Sequence, residues 1–338
     1  MSCPKKKIPL SLSSLTISFL TTKTYNNLKF RNKILVYDSI IKNYMSLLDN
    51  YIFSSGRDSD LHCWKWNSLT KKYKFEGSIK SDGKLVCALF LHRNLLYLGG
   101  DSSEIKVYDP IEDLSNPIII IPQKFNVYSI FCYENYLFSG DTSGILSIWK
   151  IDENYKLYKT IEVHQKTLRA LFAENEILIS AGYDGLVILW DISKDFEQIN
   201  TLSTEKKESV LTVQSKFNLL AMGGYDKMVH VWDITNKKEA IIVKIIKVFS
   251  EWVSWLILTD NHRLYTCSFD KLIRIFDMNN DYSIIKEINI HSDSIRMIMI
   301  KNHYLISSGW DKKVCVCDLD GNLIQTLLKH TGYALYLA

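Results

Sequence analysis

Two groups of residues in the 338-residue chain have the types a nucleophilic hydrolase uses. His164, Ser180 and Asp184 form one, and His291, Ser307 and Asp311 form the other. A serine activated by a histidine, which an aspartate orients, performs acyl transfer. The two groups share one spacing, and each ends on a fixed slot, Trp190 in the first and Cys317 in the second. A catalytic site occurs once in a chain. These slots recur in a fixed order, so the sets read as structural staples rather than nucleophiles. A buried carboxylate needs donors, and an imidazole with a hydroxyl can supply them and relay them to an indole N–H.

Other chemistry lacks its residues. There is no phosphate-binding glycine loop, no His/Cys cluster at metal-ligand spacing and no orphan pair of acids. Seven scattered cysteines with no C-x-x-C pair argue against a disulfide framework or a zinc site. No cofactor, no metal, no catalysis and no small-molecule substrate is therefore expected.

The residues that position these side chains come in seven variants of one phrase. They occupy 51–65, 95–109, 136–150, 177–191, 219–233, 263–277 and 304–318. The aromatic near the end of each falls at Trp64, Tyr108, Trp149, Trp190, Trp232 and Phe276, with Cys317 in the last. Successive positions are 41 to 44 residues apart. Each phrase reads as two alternating strands around a tight turn, with a further strand on either side. The unit is a four-stranded antiparallel meander. Such a sheet cannot bury both faces alone, and stacking copies around an axis solves that. The expected fold is all-β, a propeller of four-stranded antiparallel blades, with seven blades preferred and eight possible.

Asp184…Trp190-Asp191, Asp226…Trp232-Asp233 and Asp270…Phe276-Asp277 resemble the WD-repeat β-propeller family. The resemblance spans roughly residues 34–338. It implies a cytoplasmic or nuclear scaffold without enzymatic chemistry, and a hydrogen-bonded set of turn Asp, His, strand Ser and Trp in each blade. The fourth repeat carries all four, as His164, Ser180, Asp184 and Trp190. The seventh keeps His291, Ser307 and Asp311. The fifth has Asp226 and Trp232 but Met222 at the Ser slot and Lys206 at the His slot, and the sixth has Asp270 and Thr266. Ser102 and Ser143 take the Asp slot in the second and third.

The resemblance also implies a wide-mouthed face around the central channel, lined by two slots. One, just before the turn Asp, holds Arg57, Tyr183, Tyr225, Phe269 and Trp310. The other, 21 residues before the repeat aromatic, holds Tyr128, Arg169, Trp255 and Arg296. Aromatics and arginine are enriched at interface hot spots. This face is expected to bind a peptide or protein, with the arginines open to acidic or phosphorylated groups. A ubiquitin-ligase substrate receptor or a kinase-targeting module fits the short first turns of the blades. No F-box-like, RING-like or kinase segment fits the first 33 residues, so that activity would need a separate chain.

At the termini, residues 15–21, 25–32 and 34–37 read as strands, and Tyr333 to Leu337 as the start of one more unit. Residues 1–33 form a separate segment that contributes closing strands, and 34–338 form the propeller. Pairing strands from the two ends would lock the ring. Lys5, Lys6 and Lys7 read as a solvated tail, and the apolar run after them, broken by Ser and Thr and with no cleavage site, alternates in the manner of a strand. No run of apolar residues is long enough for a membrane span. A net charge of +4 is too small to imply nucleic-acid binding, although aromatics with arginine leave an RNA or chromatin reader as a competing reading.

Overall fold

The computed structural model describes residues 50–80, 83–204 and 206–338. Among these residues lie seven four-stranded antiparallel sheets and no helix. Each sheet is one blade. The fourth blade shows the plan: Leu168–Glu174 innermost, then Ile177–Gly182, Leu186–Asp191 and, at the rim, Glu197–Ser203. The two middle strands are buried almost throughout, and the outer strand alternates between exposed and covered positions. The stacked faces of neighbouring blades make a continuous apolar wall. Ile179, Val187 and Leu189 of blade 4, for example, pack with Leu220, Met222 and Val213 of blade 5.

Tight turns hold each meander. Arg93-Asn94, Asn175-Glu176, Phe217-Asn218 and Asn302-His303 all have positive φ at both residues. That geometry matches the right-handed twist of a hairpin. Few glycines were available for these turns, and the sequence suggested Asp, Asn and Ser instead. The structure also places Arg, Glu, Phe, Tyr and His in the left-handed region. At Asn154-Tyr155 and Asp195-Phe196, on the turn before the outer strand, the second residue is a buried aromatic. Phe196 packs edge-on against Tyr136 and Phe138, so burial of the ring offsets the backbone cost.

The ring closes with strands from both ends of the propeller. Ala334–Leu337 is the innermost strand of the first blade, against Tyr51–Gly56. Phe53 and Ala338 exchange both backbone hydrogen bonds, at 2.9 and 3.0 Å. This strand completes the first blade and does not begin an eighth. The candidate strands at 15–21, 25–32 and 34–37, and the boundary at residue 34, lie outside the described residues.

Candidate binding face and blade networks

Every blade carries a bulge where its inner strand meets the next. The extra residue is Cys87, Tyr128, Arg169, Leu211, Ser254, Arg296 or Leu335. A bulge re-aims its side chain. Counting 21 residues back from the repeat aromatic finds Tyr128, Arg169 and Arg296, but in the sixth blade it lands on Trp255, one residue late. The first turn of that blade, which pairs Leu258 with Leu264, is one residue longer than that of the fourth, which pairs Ala173 with Leu178. Ser254 is the bulge there, fully buried, with its hydroxyl donating to the Ile295 carbonyl at 2.7 Å. Trp255 lines the channel from the neighbouring position.

Three networks among the described residues have the Asp–His–Ser plan. In blade 4, His164 Nδ1 lies 3.0 Å from Asp184 Oδ1 and Nε2 lies 3.1 Å from Ser180 Oγ, which accepts the Trp190 indole N–H at 3.1 Å. An ionised carboxylate only accepts, so Nδ1–H is the donor to Asp184. In blade 7, His291 spans Asp311 at 2.9 Å and Ser307 at 2.8 Å, and Cys317 supplies no indole. Ser307 is then free to accept from a protonated Nε2. Burial pushes His291 down, yet the hydrogen bond to Asp311 and the contact with Cys315 outweigh it and bring its pKa to about 9.

Blade 1 has a complete set that sequence reading missed. His330 Nδ1 lies 2.8 Å from Asp58 Oδ2, Nε2 lies 2.9 Å from Ser54 Oγ, and the Trp64 indole N–H donates to Ser54 Oγ at 3.2 Å. His330 and Asp58 are 272 residues apart. The signal was present, since His330 stands five residues before Leu335, as His164 stands five before Arg169. His62, on the next strand, lies 3.8 Å from Asp58 and has no hydrogen-bond partner for either ring nitrogen among the described residues.

Blades 5 and 6 satisfy the turn Asp another way. His230 Nε2 lies 2.6 Å from Asp226 Oδ2, and Arg274 Nη1 donates to Asp270 Oδ2 at 2.7 Å. In both, the donor comes from the following strand, four residues on. Trp232 is not tied into the blade 5 network, and its indole N–H is buried without a partner among the described residues. Met222 stands where Ser180 stands in blade 4 and offers no hydroxyl acceptor.

The residues before the turn Asp are all fixed alike. Arg57, Tyr183, Tyr225, Phe269 and Trp310 each donate their backbone N–H, at 2.8 to 3.0 Å, to a carbonyl in the loop leading into an inner strand. Their side chains join with two loop residues not singled out from sequence, Trp252 and Tyr333. Tyr183 and Tyr225 have ring centres 6.2 Å apart; Tyr225 stacks on Trp252 at 4.0 Å; Trp252 meets Phe269 at 5.3 Å and Phe269 meets Trp310 at 5.0 Å. Trp310 stacks on Tyr333 at 4.9 Å, and Arg57, exposed, caps Tyr333 at 5.3 Å. Six rings from five blades thus form one arc on the face that carries the blade turns and inner-strand entries. Tyr128 and Arg169 belong to a deeper layer in the channel wall, and Arg296 is bonded to Tyr336 of that wall.

A family model described as "WD domain, G-beta repeat" matches residues 155–191, which span the fourth repeat phrase. That match and seven blades built to one plan support the WD-repeat β-propeller family. Members are commonly protein-interaction scaffolds and typically lack catalysis. The crystal structure of the computationally designed Ika8 protein is similar, with a TM-score of 0.66 over 85% of this chain and 86% of that one, at 18% identity. A likeness at that identity speaks to the fold alone. No curated protein matches the chain. Among the described residues, no helix is long and apolar enough to cross a membrane.

Proposed function

We propose that the protein is a non-enzymatic scaffold of the cytoplasm that holds a peptide or protein partner on the face bearing the aromatic arc. The observation that carries this is the arc itself: Tyr183, Tyr225, Trp252, Phe269, Trp310 and Tyr333 in unbroken contact, ended by Arg57. All six rings are half-buried. They present apolar edges on a rigid support, which is the make-up of an interface anchor. The rings stack on one another and leave no gaps for successive bases, which favours a protein partner over a nucleic acid. Arg57 at the end of the arc suits acidic or phosphorylated groups on that partner.

The Ser–His–Asp sets support a scaffold rather than a hydrolase. Ser54 and Ser180 are fully buried and hold indole donors. A substrate carbonyl has no path to either hydroxyl. The reading is tested by affinity capture with mass spectrometry on the wild type and on a Tyr225→Ala/Trp310→Ala variant that stays folded. Partners lost only from the variant support it; an unchanged partner set refutes it.

A further inference from the structure

The throat of the channel holds a cation that makes no ion pair among the described residues. Arg169 is 2% exposed, at the bulge of the fourth blade's inner strand, and lines a cavity of about 510 Å³ that inner-strand residues of all seven blades enclose. Its Nε and Nη2 are buried without hydrogen-bond partners among the described residues. Those two groups form one edge of the guanidinium, the pair of parallel donors that two oxygens of an oxyanion accept. Among the described residues, the arginine held in ion pairs is Arg274, not Arg169 or Arg296. Asp101, in the wall of blade 2, accepts instead from Asn126 Nδ2 at 3.3 Å.

A second guanidinium contacts the same ring of the cavity wall. The guanidinium carbons of Arg169 and Arg296 lie 5.7 and 5.6 Å from the centre of one ring, Tyr336, and Arg296 Nη2 donates to the Tyr336 hydroxyl at 3.3 Å. Aromatic faces offset only part of the cost of burying a guanidinium, and an anion offsets far more.

We propose that this throat is a phosphate-binding site. The unpaired edge of Arg169 supplies two donors, Arg296 a second positive charge, and Tyr336 a hydroxyl. The phosphate group comes either from the free anion or from a phosphorylated side chain of the partner, and that second source rests on the docking face proposed above.

The test titrates the full chain with inorganic phosphate, against chloride at equal ionic strength, by calorimetry and thermal melting. Wild type should bind phosphate and melt higher in its presence. Arg169→Met and Arg296→Met should each weaken binding at least tenfold. Without phosphate, Arg169→Met should melt no lower than wild type, because it removes an unpaired buried charge. No phosphate-specific response in wild type, or an equal response in Arg169→Met, overturns the site. Phosphatase treatment of a captured partner separates the sources. Lost capture assigns the group to the partner, and unchanged capture with retained phosphate binding assigns it to the free anion. Capture that survives Trp310→Ala while phosphate still binds refutes the docking face and leaves this site standing.

Discussion

Replacing His330 with alanine should weaken the seam where the ring closes. In the native protein, its imidazole bridges Asp58 at 2.8 Å and Ser54 at 2.9 Å, and its side chain is fully buried. The Asp58 side chain is 3% exposed, so the change leaves a buried carboxylate short of a donor. Breaking a buried, hydrogen-bonded pair costs about 3–5 kcal/mol. The Thr331 N–H still donates to Asp58 at 2.9 Å, and His62 stands 3.8 Å away, ready to take up part of the role. That places the cost near the lower limit, about 3 kcal/mol. At about 2.1 cal/mol/K of unfolding entropy per residue, a ring of roughly 290 residues shifts its melting temperature by about 1.6 °C per kcal/mol, so a drop of about 5 °C is expected. The assay is thermal unfolding of His330→Ala, Asp58→Ala and the double variant. Residues in one network should show a coupling of about 0.5–3 kcal/mol. His62→Ala should cost little alone and more in the His330→Ala background. A melt of His330→Ala within about 1 °C of wild type, or strictly additive effects, refutes the reasoning.

Trp190→Phe should cost about 1 kcal/mol, the worth of its bond to Ser180, whereas Trp232→Phe should be close to neutral because its indole has no partner; equal melting shifts for both would count against this contrast. Asp58, Asp184 and Asp311 are all held below the usual carboxylate range, because hydrogen bonds from His330, His164 and His291 outweigh the burial that raises them. Their contribution is present above the unfolded carboxylate pKa and is lost as pH falls through their lowered values, so acid unfolding of Asp184→Asn should show a smaller pH dependence than wild type. His291 has the opposite sign. Its contribution is complete below its unfolded pKa of about 6.5 and fades as pH rises through about 9. His291→Gln should remove that alkaline loss, and a persisting loss would exclude His291 as its source. Deleting residues 330–338 removes His330 and the inner strand of blade 1 together, and circular dichroism should show a loss of cooperative unfolding; an intact melt would disprove closure by this strand.

The repeat made most of the fold legible. Seven phrases at near-constant spacing gave the strands, the turns and the ring, because a blade is a local meander whose partners lie within about 40 residues. What escaped was non-local or depended on one residue of loop length. His330 pairs with Asp58 across nearly the whole chain, so no window along the sequence holds both. Trp255 was placed in the bulge slot because the longer first turn of blade 6 shifts the count. Trp252 and Tyr333 sit in loops outside both counted slots, yet they bridge the arc. His230 and Arg274 replace the missing histidine from the opposite side of the Asp, a substitution that spacing from the Trp slot does not reveal.

The docking face is tested most directly by hydrogen exchange on the protein alone and with its captured partner. The two faces can be read separately, because the turns that follow the inner strands and those that precede the outer strands lie on the face opposite the arc. Binding should slow exchange in peptides covering Tyr225, Trp252, Trp310 and Tyr333, and leave those covering Asn175-Glu176 and Asp195-Phe196 unchanged. Protection confined to the latter turns would contradict the account.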